Sequence, residues 1–108
     1  MTSKQVWIID DDRAIRWVLE RALAQAGFDS VCFEEADSAL ERLENEQPTV
    51  IVTDIRMPGT DGLSFLGQVR ERFADVPVII MTAHSDLSSA VASYQGGAFE
   101  YLPKPFDV

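Results

Sequence analysis

The chain has 108 residues, with 46% apolar and 25% charged positions, a composition that excludes a disordered acidic tail and fits one domain burying about two-thirds of its surface. Eighteen Asp and Glu against nine Lys and Arg leave a formal charge of −9, the wrong sign for releasing counterions from a nucleic-acid backbone. The lone Cys32 forms no internal disulfide, no apolar run approaches the roughly 20 residues of a bilayer span, and the opening MTSKQVWII is too weakly basic for a secretory signal, so a cytoplasmic domain is expected.

In chain order, Val6 to Ile9 is apolar at every position, as a central strand covered on both sides requires. After Asp10 the period becomes helical. Ile15, Val18, Leu19, Ala22, Leu23 and Ala26 form one stripe, and Gly27 supplies the stop. Ser30 to Phe33 reads as a second strand. Ala36, Ala39, Leu40 and Leu43 then recur at helical spacing, with Glu41, Arg42 and Glu44 turned away and Pro48 closing the segment. Val50 to Thr53 is a third strand, Leu63 to Phe73 a third helix, and Val78 to Met81 a fourth strand. A fourth helix follows in DLSSAVASYQGG, with Ser85 as its cap and a modest stripe of Leu87, Ala90, Val91 and Tyr94. Tyr101 and Leu102 make a short fifth strand. Asp107 looks like a helix cap with no helix after it, so a fifth helix is expected to be missing from residues 1–108, leaving an apolar patch uncovered.

Strands alternating with helices imply a parallel sheet with helices on both faces, whose ligands bind at the carboxyl ends of the strands. Those ends are Asp10 with Asp11 and Asp12, then Asp54, Thr82 and Lys104. Carboxylates about 5 Å apart repel by about 3 kcal/mol per pair at an effective dielectric of 20. Something positive must sit among them. Lys104 supplies one charge, and a hard divalent ion with oxygen ligands, Mg²⁺ by preference, supplies the rest. Asp54, alone at its strand end, is then the candidate nucleophile toward phosphorus, and the Thr82 hydroxyl can bond an arriving phosphoryl oxygen.

Plainer roles exist for each residue. An isolated Asp-Asp-Asp run is usually a solvated loop that caps a helix. Asp54 and Thr82 are ordinary turn and loop types, and Tyr101 packs as readily as it switches. His84 has no second ligand beside it. Cys32 is most simply a small buried apolar residue, and Trp17, off the helical stripe, either packs partly on the surface, the preferred reading, or marks a contact with another domain.

IIDDDRAIR, VTDIRMPGTDG, VIIMTAHS and YLPKPF resemble, in order and spacing, the phosphoacceptor receiver domain of two-component response regulators. RWVLERALAQAGF and YQGGAFEYLPKPFD bring the likeness closer to the receivers of nitrogen-regulatory transcription activators. The resemblance implies an α/β, flavodoxin-like (CheY-like) doubly wound fold with a five-stranded parallel sheet in the order 2-1-3-4-5. It implies phosphorylation of Asp54 by a sensor histidine kinase, and Mg²⁺ held by Asp10, Asp11, Asp54 and the Arg56 backbone carbonyl. Asp10 and Asp11 are preferred to Asp12 because the family's acidic pair precedes its helical Arg by six and five residues, and Arg16 fixes that count. Thr82 and Tyr101 match the switching pair and Lys104 the phosphate-contacting lysine, with the Lys104–Pro105 bond expected cis.

The implied module is a phosphorylated signalling domain with slow autodephosphorylation, not a turnover enzyme. Its implied partners are the kinase, an output ATPase and a DNA-binding domain beyond residue 108, and a second copy of itself. Two other classes compete. A haloacid dehalogenase-type phosphohydrolase shares the Asp nucleophile but needs D-x-D-x-[TV], and Ala14 fails its last position. A Ca²⁺ loop starting at Asp10 lacks the glycine at its sixth position.

Overall fold

A strand apolar at consecutive positions must be covered on both faces, and β1 (Gln5–Ile9) occupies such a place, with Val6, Trp7, Ile8 and Ile9 all buried. The computed structural model describes residues 4–55, 59–83 and 100–104, of which 82–83 and 100–104 are described through their backbone. Around β1 run β2 (Asp29–Phe33), β3 (Val50–Asp54), β4 (Val78–Ala83) and β5 (Glu100–Lys104). The sheet order is β2-β1-β3-β4-β5 and every pairing is parallel, as the motifs implied.

Alternation along the strands divides the core in two. Trp7, Ile9, Ile51, Val78 and Ile80 pack against α2 (Ala36–Leu43) and α3 (Gly62–Arg72), which contribute Ala36, Ala39, Leu40, Leu43, Phe65, Leu66 and Val69. Burial of each large side chain there is worth about 1.5–3 kcal/mol. Trp7 also has its polar edge satisfied. Its Nε1 donates to Gln5 Oε1 at 2.8 Å, and its ring meets Phe33 at 5.1 Å between centroids.

Val6, Ile8, Val52 and Met81 face the other way, toward Ile15, Leu19 and Leu23 of α1 (Arg13–Gln25). The stripe on α1 falls where the period placed it, yet none of its residues is fully buried. Among the described residues α1 is the one helix on this face, and a single helix cannot enclose its own flanks. Trp17 is 57% exposed, with the Arg21 guanidinium 4.8 Å from its ring centroid. Among the described residues no helix is long and apolar enough to cross a membrane.

The element boundaries differ from the sequence expectation in ways that have local causes. α1 begins two residues before Ile15 because the Asp12 side chain caps it, accepting from Ala14 N at 2.9 Å. It gives way to Gly27 at φ +87°, the left-handed position the glycine was expected to fill. α2 stops at Leu43, well before Pro48: the N–H groups of Asn45 and Glu46 both donate to Arg42 O at 3.0 Å and close the turn, while Pro48 is buried beyond it. β4 and β5 both run further than the apolar runs suggested, since Thr82 and Ala83 pair with Pro103 and Lys104.

Cys32 is half-buried rather than buried. Burial first, then the charge and hydrogen bond of Glu20, push its thiol up from an ordinary 9.0 to about 11. The folded value lies above the unfolded one, so the protonated thiol contributes stability that is complete below pH 9 and is lost as pH climbs through 11. Alkylation by iodoacetamide at pH 8 is expected to be about tenfold or more slower than for an unhindered cysteine, rising steeply toward pH 11. A rate at pH 8 equal to that of free cysteine contradicts this.

Candidate functional site

The carboxyl ends of β1 and β3 bring three acidic side chains together: carboxylate oxygens of Asp10, Asp11 and Asp54 all lie within 4.8 Å of one another. Asp10 is fully buried, Asp54 half-buried and Asp11 exposed, so the cluster opens to solvent on one side. Asp10 is held through its own backbone. Its N–H donates to Phe33 O at 3.1 Å, and its carbonyl accepts from Arg16 Nη1 at 2.7 Å. Arg16 served in the sequence only to fix a count; the fold makes it the strut that ties α1 to the end of β1. Its second contact, 3.6 Å from exposed Glu34, adds little.

The three consecutive aspartates make different contacts. The Asp12 side chain caps α1, accepting from Ala14 N, while its backbone N–H donates to Asp10 Oδ1 at 2.8 Å. The helix-capping role thus falls on the third aspartate alone, and the first two face β3.

On β3, the carboxylate of Asp54 accepts from the next residue, Ile55 N, at 2.9 Å, and the Thr53 hydroxyl donates to the Asp54 carbonyl at 3.0 Å. The chain then leaves the sheet and returns as α3, with Gly62 N–H donating to Ile55 O at 2.7 Å. Asp61 caps α3 by accepting from Ser64 N at 2.8 Å. The return passes so close that a Cβ on Gly62 would lie 2.2 Å from the Asp54 carbonyl oxygen.

Three carboxylates within 4.8 Å at one rigid edge repel by about 3 kcal/mol per pair at an effective dielectric of 20. An all-oxygen anionic donor set of this kind fits a hard divalent ion such as Mg²⁺. The backbone register puts two further expected residues at the same carboxyl edge of the sheet. Asp54 pairs with Met81, Thr82 follows directly, and Lys104 pairs with Ala83; Tyr101 lies further back, opposite Ile80. Arg56, His84, Ser85, the expected fourth helix, Pro105 with its peptide bond to Lys104, and the chain beyond lie outside the described residues.

A family model for the response regulator receiver domain matches residues 6–108. The chain is 59% identical over 103 residues to the DNA-binding transcriptional regulator NtrC of Escherichia coli strain K12, covering 95% of this chain and 22% of that protein. It is 42% identical over 102 residues to the C4-dicarboxylate transport transcriptional regulatory protein DctD of Pseudomonas aeruginosa, covering 94% of this chain and 22% of the relative. Among solved structures, it matches the BeF3-activated receiver domain of nitrogen regulatory protein C with a TM-score of 0.82 and 57% identity, covering 99% of this chain and 86% of the other. The chain therefore spans about a fifth of the length of these curated relatives.

Proposed function

The chain belongs to the response regulator receiver domain family and is similar to receivers of the NtrC type, and from that premise we propose that Asp54 accepts a phosphoryl group from a phosphohistidine of a sensor kinase. An Asp54 carboxylate oxygen attacks phosphorus, the new P–O bond makes an acyl phosphate, and the P–N bond breaks with its electron pair returning to the imidazole. The observation that carries this reading is the convergence of Asp10 and Asp11 on Asp54 at the carboxyl end of a parallel sheet.

Asp10, Asp11 and Asp54, with the Arg56 carbonyl, would hold Mg²⁺, which supplies positive charge against the phosphoryl oxygens. Lys104 is the second cation for those oxygens, and the Thr82 hydroxyl donates to one of them once they arrive. Tyr101 follows the shift of Thr82, giving two arrangements whose balance the phosphoryl group tips. The acyl phosphate is hydrolysed slowly at the same site. The output is carried by parts of the protein outside residues 1–108: the names of the relatives point to DNA binding and nitrogen regulation, and the family resemblance adds an ATPase.

The test is incubation with Mg²⁺ and acetyl phosphate. One acid-stable, base-labile phosphoryl group per chain is expected, located by mass spectrometry. Sustained release of phosphate from many monoesters without a trapped acyl phosphate would instead mark a hydrolase and overturn the reading.

A further inference from the structure

We propose that Asp37 and Thr60 are a positioning pair that sets the orientation of the Asp54 carboxylate through the loop between β3 and α3, an inference that rests on the function proposed above. Asp37 lies in the first turn of α2, 23 residues before Thr60, and its Oδ1 accepts from Thr60 Oγ1 at 2.6 Å. Its other oxygen, Oδ2, lies 3.8 Å from where a Cβ on Gly59 would stand. Both carboxylate oxygens therefore face residues 59–60. Gly59 takes φ +77°, a turn that a side chain would strain.

A hydroxyl donating to a carboxylate at this distance is a charge-assisted bond, among the stronger kinds. Each partner is held by its surroundings. Asp37 rides on a helix whose Ala36, Ala39 and Leu40 are locked in the core. Thr60 is β-branched and half-buried, which restricts its rotamers. At their far ends α2 and α3 are joined again, by Arg72 Nη2 to Glu44 Oε1 at 2.9 Å.

From Thr60 the path to the phosphoacceptor is short and made of direct bonds. Asp61 starts α3, Gly62 N–H donates to Ile55 O at 2.7 Å, and Ile55 N–H donates to Asp54 Oδ1 at 2.9 Å. One peptide unit on each side of Ile55 thus carries both the loop closure and a hydrogen bond that aims the nucleophile. Losing the Asp37 anchor releases residues 59–60 from α2, and the slack is taken up at Ile55.

Thr60→Val removes the hydroxyl at constant shape, Thr60→Ser keeps it, and Asp37→Ala removes the acceptor. The initial rate of acetyl phosphate labelling and the Mg²⁺ affinity by calorimetry are measured beside the melting temperature. Thr60→Val and Asp37→Ala are each expected to slow labelling and weaken Mg²⁺ binding about threefold to tenfold, Thr60→Ser to stay near the parent, and the double variant to be no worse than either single one. A fall in melting temperature with labelling and Mg²⁺ binding at parental values, loss in Thr60→Ser equal to that in Thr60→Val, or additive effects in the double variant would each overturn the pair's role. A parent chain that neither takes phosphate nor binds Mg²⁺ defeats the proposed function and this inference together; a labelled parent with equally labelled variants defeats the inference alone.

Discussion

Asp54→Asn is expected to lower acetyl phosphate labelling to below about 1% of the parent, because an amide oxygen is a poor nucleophile toward phosphorus where a carboxylate is a good one. The change is close to isosteric, and the side-chain oxygen can still accept from Ile55 N, so the fold should persist. Electrostatics adds a second, opposite signature. Asp54 stands within 4.8 Å of both Asp10 and Asp11, so the substitution removes two repulsive pairs from the cluster. The variant's cluster therefore has less need of a bound cation. Added Mg²⁺ should then stabilise the variant less than the parent. A fully labelled Asp54→Asn, or a phosphoryl group mapped to Asp10 or Asp11 in the parent, would remove Asp54 from the chemistry.

Much of this site was legible because strand ends are. The apolar runs at Val6–Ile9 and Val50–Thr53 end on Asp10 and Asp54, and in a parallel sheet with neighbouring β1 and β3 those residues must meet. The preference for Asp10 and Asp11 over Asp12 came from a resemblance, while the capping of α1 by Asp12 needed coordinates. Other features left no trace in the pattern. Arg16 reaches back across the turn to a carbonyl, and a carbonyl has no residue code. The Asp37–Thr60 bond joins two polar residues 23 apart, each of a type common in loops and first turns. The half-buried state of Cys32 and of the α1 stripe depends on what covers that face from other elements, which periodicity within one helix does not report. The lengths of β4 and β5 were underestimated for a similar reason, since Thr82, Ala83, Pro103 and Lys104 pair by register and not by hydrophobicity.

Gly62→Ala should have a larger effect on the fold than a methyl group at any other described glycine. A Cβ there would stand 2.2 Å from the Asp54 carbonyl oxygen, 2.8 Å from Ile55 Cα and 3.0 Å from the Asp54 carbonyl carbon. All three are backbone atoms, so no side chain can rotate away to make room. Either α3 slides outward, uncovering the buried Phe65, Leu66 and Val69, or the end of β3 moves and carries Asp54 with it. Both routes stretch the 2.7 Å bond from Gly62 N to Ile55 O. Overpacking of this severity costs about 3 kcal/mol or more, a large part of a total stability of about 5–15 kcal/mol. The melting temperature is therefore expected to fall by roughly 12 °C or more. Gly67→Ala is the matched control within α3: nothing lies within 4 Å of its added Cβ, and alanine in a helix interior is favoured over glycine by about 1 kcal/mol. Thermal melts of the two variants should move in opposite directions. If Gly62→Ala melts within a few degrees of the parent, the close approach of α3 to the Asp54 backbone is not what fixes Asp54 at the sheet edge.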